Sequence, residues 1–127
     1  MNNMVDCYTD ASYSKEIKGS IIGYKIGDDP IVTEFLDQVK NTQAEIMAIE
    51  KCITLCKKKY PDHKIHIYTD CQKAIKSNYG SNVEIHKMIG HIKKSLQDDK
   101  QKIFSSVDKI TRKELRKIYK DLYNSDI

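Results

Sequence analysis

The tripeptide Tyr-Thr-Asp occurs twice in this chain, each time at the end of a run that is typical of a β-strand. Asp10 follows the run at residues 4–9, and Asp70 follows the run at residues 64–69. If the two strands are neighbours in one sheet, both carboxylates lie at the same sheet edge, where open α/β sheets bind their ligands. The repeat therefore predicts a sheet with two convergent acids at one edge.

The order of the remaining patterns predicts the fold class. Strand patterns at residues 4–9, 20–26 and 31–36 are joined by polar turns and predict an antiparallel meander. A helix follows, capped by Asn41 or Thr42 and ended before Pro61. The later segments predict a strand at 64–69, a helix after Asp70, a helix at 83–96, a short strand at 103–107 and a closing helix. This order predicts an α/β fold with a mixed sheet and helices packed on it.

Two of these helices depend on apolar residues at helical spacing. The helix at residues 83–96 is predicted from Ile85, Met88, Ile89 and Ile92. The closing helix is predicted from Leu115, Ile118, Tyr119 and Leu122.

Length and composition favour one domain over residues 1–127. The apolar runs are too short to span a membrane, and residues 1–6 lack the pattern of a secretory signal. We therefore expect an intracellular protein of the cytoplasm or nucleus, a monomer without a membrane partner. In such a reducing compartment the four cysteines would be thiols, with Cys52 and Cys56 buried as small apolar residues.

The charge balance is mildly basic. The net charge is +4, from 22 Lys and Arg against 18 Asp and Glu. The basic excess lies in the last third of the chain, from Lys93 onward. This distribution is compatible with a polyanionic partner such as a nucleic acid. The four histidines, in contrast, have spacings that predict no zinc site.

A third acid belongs with Asp10 and Asp70. Glu45 would stand in the first turn of the first helix and could lean over the same sheet edge. Three clustered carboxylates repel one another, so the arrangement is costly unless a hard cation neutralises it. Two Mg²⁺ ions roughly 4 Å apart would do so and would activate a water. Taken singly, each acid could equally be a helix cap or a turn residue.

Three segments together resemble the motifs of the ribonuclease H family, type 1. The first-strand motif is similar to Thr9-Asp10-Ala11-Ser12, with Ala11 where glycine is usual. The first-helix motif, an asparagine four residues before a glutamate, is similar to Asn41 and Glu45. The strand-to-helix motif matches Thr69-Asp70-Cys71-Gln72.

The resemblance implies a ribonuclease H-like fold: a mixed five-stranded sheet, three antiparallel strands then two parallel, with helices on both faces. It implies an endonuclease that hydrolyses the RNA strand of an RNA–DNA hybrid and leaves 5′-phosphate ends. Two Mg²⁺ ions, or Mn²⁺, would be bridged by Asp10 and completed by Glu45 and Asp70. Contacts to the minor groove, where 2′-hydroxyls mark the RNA strand, would come from Ser12, Asn41 and Gln72.

The chain departs from the family at its fourth carboxylate, which normally lies in the last helix. If residues 107–109 are the usual strand exit, Arg116 occupies that position. Glu114 is the nearest acid, but two residues on a helix turn a side chain by about 200°. Glu114 therefore requires a shorter loop or a shifted helix register. Asp108 is the alternative fourth ligand, and a site with three acids is the remaining possibility.

The unclear fourth ligand leaves two further functions open. One is a nucleic-acid binding domain of the same fold whose catalysis has decayed. The other is a nuclease like the Holliday-junction resolvases, which share the order Asp, Glu, Asp. Asn41 and Gln72 favour the hybrid-cutting enzyme, because a metal cluster alone requires neither amide.

Overall fold

The computed structural model describes residues 3–89 and 93–124. The strands are β1 (Met4–Ser14), β2 (Gly19–Ile26), β3 (Val32–Asp37), β4 (Lys64–Thr69) and β5 (Val83–Lys87). The α-helices are α1 (Asn41–Lys59), α2 (Gln72–Ile75) and α3 (Asp99–Asn124), with a 3₁₀ turn at Lys94–Leu96. Within these ranges no helix is both long enough and apolar enough to cross a membrane.

The five strands form one mixed sheet in the order β3-β2-β1-β4-β5. The first three strands pair antiparallel, as the meander pattern predicted. β4 then pairs parallel with β1, and β5 pairs parallel with β4. The predicted fold class is confirmed, and the strands that carry the two Tyr-Thr-Asp segments are neighbours. β4 ends just before Asp70, as predicted. The predicted end of β1 is wrong, because β1 continues to Ser14 and Asp10 lies within the strand.

The sheet has a helix layer on each face, because its side chains alternate between the two faces. Val5 and Cys7 of β1 belong to the core under α1, together with Ile67 of β4. Tyr8 of β1, which points the other way, packs with Phe104 and other residues of α3. The face that carries Tyr8 also carries Asp10, so α3 covers the side of the sheet on which Asp10 lies.

The first helix has the predicted position and buried face. Its fully or nearly buried positions recur at helical spacing and include both cysteines that were expected to be buried: Ala44, Ala48, Ile49, Cys52, Ile53 and Cys56. The predicted cap is wrong, since the helix is preceded by Lys40 and has no side-chain cap hydrogen bond. Asn41 is therefore the first residue of the helix rather than its cap.

The helix predicted over residues 83–96 is wrong, because residues 83–87 form the edge strand β5. Val83 and Ile85 alternate with Glu84 and His86, which is the period of a strand. The prediction followed the 3.6-residue spacing of the later apolar residues instead. Of these, Ile89 is 59% exposed, and Ile92 lies outside the described residues.

The strand predicted at residues 103–107 is also wrong, because these residues lie inside α3. Phe104, Val107 and Thr111 are buried and are three or four residues apart, which is helical spacing. The short apolar run at residues 103–107 was compatible with a strand or a helix. The helical spacing of the buried residues continues to Thr111, which is a pattern that a short strand does not produce. The closing helix predicted from Leu115 onward is confirmed as the second half of α3.

Candidate active site

Asp10, Glu45 and Asp70 lie together beside the ends of the central strands. Asp10 belongs to β1, Asp70 directly follows the neighbouring strand β4, and Glu45 lies one turn into α1. One carboxylate oxygen of each residue lies within 4.8 Å of the others. The structure thus brings the three acids predicted from sequence into one cluster.

The cluster is electrostatically costly for the protein alone. Burial raises the pKa of Asp10 well above its usual range, and the neighbouring Asp108 and Asp70 carboxyls raise it further. Burial also raises the pKa of Glu45, with a smaller contribution from the charge of Asp70. Since like charges in a partly dry site favour protonation, a divalent cation would relieve the repulsion. Every donor is a carboxylate oxygen, a set that fits Mg²⁺ or Mn²⁺.

A fourth acid, Asp108 of α3, faces this cluster. Its carboxyl lies within hydrogen-bonding range of the Asp10 carboxyl, a contact that requires a shared proton when no cation is bound. On its other side, the Asp108 carboxylate accepts from the Arg112 guanidinium at 2.9 Å. The side chain of Asp108 is 21% exposed, which leaves it open to the cleft.

Gly23 explains how α3 comes close enough for this contact. Gly23 is the β2 residue paired with Asp10. A Cβ at position 23 would lie 2.3 Å from the Cγ2 atom of Thr111, so only glycine leaves room for the helix. The Thr111 hydroxyl donates to the Asp108 carbonyl oxygen at 2.8 Å. The contact between Gly23 and Thr111 therefore sets how deeply Asp108 reaches toward Asp10.

Glu114 lies away from the cluster. It does not line the cleft, and its carboxylate accepts from the Lys117 ammonium group at 3.2 Å. Arg112 and Arg116 do line the cleft, and Glu114 is two residues from each, about 200° away around the helix. The register shift that Glu114 would have needed is not present. Asp108 therefore replaces Glu114 as the candidate fourth ligand.

The acids open into a cleft of about 520 Å³. Among the residues predicted to contact substrate, Ser12 and Asn41 line this cleft. Gln72 is exposed at the start of α2 and is not among the lining residues. The described lining is completed by Asp10, Ala11, Tyr13, Glu45, Asp70, Asp108, Arg112, Leu115 and Arg116.

Arg112 was not predicted as a residue of the site, and Arg116 was noted only as the residue at the family's carboxylate position. With Asp108 they are spaced four residues apart along α3, so they form one charged stripe on a single helix face. This stripe is visible in the sequence only if residues 103–107 are assigned to the helix. The incorrect strand at these residues concealed it.

Comparison with known proteins decides the family. The sequence model of the RNase H family matches residues 2–121, nearly the whole chain. The chain belongs to the RNase H family. No curated protein sequence matches it at a significant level.

Solved structures of this family share the fold. LC11-RNase H1, isolated from compost by a metagenomic approach, is 12% identical with a TM-score of 0.67, over 92% of this chain and 99% of that one. A structure of LC11-RNase H1 in complex with an RNA/DNA hybrid has a TM-score of 0.59 at 12% identity, over 87% of this chain and 99% of that one.

A viral protein contains the same fold as one part of a longer chain. The prototype foamy virus protease-reverse transcriptase is 15% identical with a TM-score of 0.65. The match covers 86% of this chain and 20% of the viral chain. At these identities the likeness establishes the fold of this RNase H family member.

Proposed function

We propose that this RNase H family member is an endonuclease that hydrolyses the RNA strand of RNA–DNA hybrids. The observation that carries the proposal is the convergence of four carboxylates, from Asp10, Glu45, Asp70 and Asp108, on one cleft that arginines also line. The substrate class is supported by the family and by the hybrid complex of LC11-RNase H1.

The four carboxylates would hold two Mg²⁺ ions, which Mn²⁺ could replace. Asp10 is the most buried of the four acids and has Asp70 and Asp108 as carboxyl neighbours, so we assign it as the bridging ligand. When bound, such ions activate a water for attack and stabilise the leaving oxygen of a phosphodiester. Attack by water rather than by the ribose 2′-hydroxyl would leave 5′-phosphate and 3′-hydroxyl ends.

Neighbouring groups hold two of the ligands in position. The Arg112 guanidinium bonds one oxygen of Asp108, which fixes the carboxylate against rotation and leaves its other oxygen for the cleft. The Cys71 thiol is a neighbour of the Glu45 carboxylate and favours its charged form, which partly offsets the rise that burial causes in the pKa of Glu45. Preorganised ligands of this kind lose little entropy when the cations and substrate bind.

The polyanionic substrate would be held by the basic and polar side chains that surround the acids. Arg112 and Arg116 place positive charge beside the carboxylates, where phosphates of the hybrid would approach. Ser12 and Asn41 offer a hydroxyl and an amide that can bond ribose 2′-hydroxyls. We retain Gln72 as a peripheral contact, since it follows Asp70 closely at the start of α2.

Four labelled substrates test the proposal: an RNA–DNA hybrid, double-stranded RNA, a DNA duplex and a four-way junction, each with Mg²⁺ or Mn²⁺. We expect cleavage of the hybrid in its RNA strand and no cleavage by the Asp10→Asn variant. Preferential cutting of the junction would make the protein a resolvase-like nuclease. Binding of the hybrid without cleavage of any substrate would make it a decayed binding domain.

The proposed enzyme would act as a monomer in a reducing compartment. The four cysteines are buried as thiols, and two of them, Cys7 and Cys56, have sulfurs 3.8 Å apart. Light scattering in the presence of a thiol reductant tests whether the protein is a monomer in solution. A stable dimer under these conditions would overturn that part of the proposal.

A further inference from the structure

Three metal-ligating side chains converge on strands β4 and β5, apart from the cleft. His66 lies on β4 opposite Glu84 of β5, and His86 lies two residues further along β5. One ligand atom of each residue lies within 4.8 Å of the others. None of the three lines the cleft. The sequence spacing gave no indication of this cluster, because parallel pairing of the strands creates it.

The two imidazole rings direct their ring nitrogens at each other. His66 Nδ1 and His86 Nε2 are 2.7 Å apart. The ring planes differ by 17° and the ring centres are 4.9 Å apart, which is close to the length of two ring radii plus one hydrogen bond. The rings therefore meet edge to edge, and both in-plane lone-pair directions converge on the space between the nitrogens. In the metal-free protein a proton occupies that space.

The carboxylate of Glu84 lies beside the same space. Its Oε1 atom is 3.8 Å from His86 Nε2, and its Oε2 atom is 3.9 Å from His66 Nδ1. Bonds of about 2.0–2.1 Å to a tetrahedral Zn²⁺ place neighbouring ligand atoms about 3.3 Å apart. The carboxylate is therefore too far and the two nitrogens are too close, so both rings would turn apart and the carboxylate would approach when an ion binds. Oε2 also accepts from Lys64 at 3.0 Å, while Oε1 faces His86.

We propose that His66, Glu84 and His86 form a binding site for a divalent transition-metal ion of the zinc class. Two imidazoles and one carboxylate are a donor set that Zn²⁺ binds with a water as fourth ligand. The imidazole nitrogens favour such an ion over Mg²⁺, which prefers oxygen donors. This site is chemically distinct from the all-carboxylate cluster of the cleft.

A metal ion at this site would hold the edge strand β5 to its neighbour β4. β5 pairs with β4 alone and is the last strand on its side. A metal bound by His66 from one strand and by Glu84 and His86 from the other would link the two strands side chain to side chain. Because the ion binds the folded pairing and not the separated strands, it would stabilise the fold by mass action.

Zinc binding by the purified full chain tests the site. The protein is stripped with a chelator, supplied with excess Mg²⁺ to occupy the carboxylates, and titrated with ZnCl₂ in a calorimeter. We expect one zinc ion per chain and a higher melting temperature. His86→Gln should weaken zinc binding by at least about tenfold. Two controls should bind zinc like the parent: His63→Gln, a histidine beside Tyr60 rather than in the cluster, and Asp10→Asn, which removes an acid of the cleft.

Two further measurements distinguish this site from non-specific binding of zinc to surface groups. Zinc should slow amide hydrogen exchange in residues 83–87, and Co²⁺ should give the visible absorption of a tetrahedral site that His86→Gln abolishes. Glu84→Gln serves where a histidine variant fails to fold, because Glu84 is half-exposed. The proposal would be overturned if the parent bound no zinc, or if His86→Gln and Glu84→Gln both bound zinc as tightly as the parent.

Discussion

The carboxyl groups of Asp10 and Asp108 lie within hydrogen-bonding range of each other although they come from opposite ends of the chain. Two carboxyls can make such a contact only if they share a proton or a cation. The contact joins the first strand to the last helix at the cluster formed by Glu45 and Asp70. It also makes Asp108 the candidate helix residue for the fourth acid of the site.

Asp10→Asn should abolish cleavage of the hybrid and leave the fold intact. A bridging ligand has no substitute among the other acids, so we expect the rate to fall by at least about 10³-fold. The measurement is single-turnover cleavage of labelled hybrid with Mg²⁺, with circular dichroism to confirm folding. Activity above a few per cent of the parent would contradict the assignment of Asp10.

The same substitution should raise the melting temperature of the metal-free protein at neutral pH. The pKa of Asp10 is raised in the folded state by burial and by its acidic neighbours, and its unfolded value is about 3.9. The folded state therefore loses stability as pH rises above the unfolded value, because the charge must then be carried in the buried site. Replacing the carboxyl by an amide removes that loss.

The difference between Asp10→Asn and the parent should thus be large at pH 8 in a chelator and vanish near pH 4. Excess Mg²⁺ at pH 8 should shrink it by stabilising the parent. Asp121→Asn, an acid on the exposed end of α3, is the matched control and should behave like the parent throughout. A melting-temperature gain that persists unchanged at pH 4 would refute the electrostatic explanation.

Asp108→Asn and Glu114→Gln should differ sharply in activity. Asp108 faces Asp10, whereas Glu114 pairs with Lys117 away from the cleft. If Asp108 completes the metal ligands, its loss should lower turnover by at least about a hundredfold with a much smaller effect on hybrid binding. Glu114→Gln should remain near the parent rate. If Glu114→Gln lowered turnover more than Asp108→Asn, Glu114 would be the fourth ligand instead.

These residues separate what the sequence could predict from what it could not. Asp10, Glu45 and Asp70 occur in short local motifs, on a strand, near a helix start and just after a strand end, so local patterns were enough. Asp108 becomes a site residue only through the packing of α3 on β2, which depends on the missing side chain of Gly23. His66 and His86 meet only through the register of two parallel strands. Contacts between distant segments of this kind leave no periodic signal in the sequence.

The products of cleavage should carry 5′-phosphate and 3′-hydroxyl ends. In the proposed reaction the nucleophile is a water, so no ribose oxygen attacks the phosphorus. Mass spectrometry of the fragments checks the ends, and a 2′,3′-cyclic phosphate would exclude the proposed reaction. A hybrid with 2′-deoxy substitutions around the cut site should bind more weakly, because the 2′-hydroxyl contacts are lost.

Arg116→Ala should weaken binding of the hybrid more than it slows cleavage of bound substrate. Arg116 is exposed at the cleft, where its charge can meet a phosphate. Loss of one phosphate contact should reduce the slope of log K against log salt by about 1. Lys117→Ala removes the neighbouring cation, which pairs with Glu114 outside the lining, and is the control. An Arg116→Ala salt slope equal to that of the parent would show that Arg116 contacts no phosphate.

Gly23→Ala should impair both stability and activity, and a second substitution should repair it. The new Cβ would lie 2.3 Å from Thr111 Cγ2 and 3.3 Å from Val107 Cγ1, so α3 must move away from β2. Overpacking of this kind costs about 1–3 kcal/mol, and the shift would withdraw Asp108 from Asp10. Thr111→Ser deletes the clashing methyl group but keeps the hydroxyl that donates to the Asp108 carbonyl oxygen.

The double variant Gly23→Ala with Thr111→Ser should therefore recover most of the stability and cleavage rate lost by Gly23→Ala alone. Thr111→Ser by itself should cost about 1 kcal/mol, because it removes one buried methyl group. Urea denaturation and single-turnover cleavage of all four proteins complete the double-mutant cycle. Strictly additive effects in both measurements would show that the close approach of Gly23 and Thr111 does not control the position of Asp108.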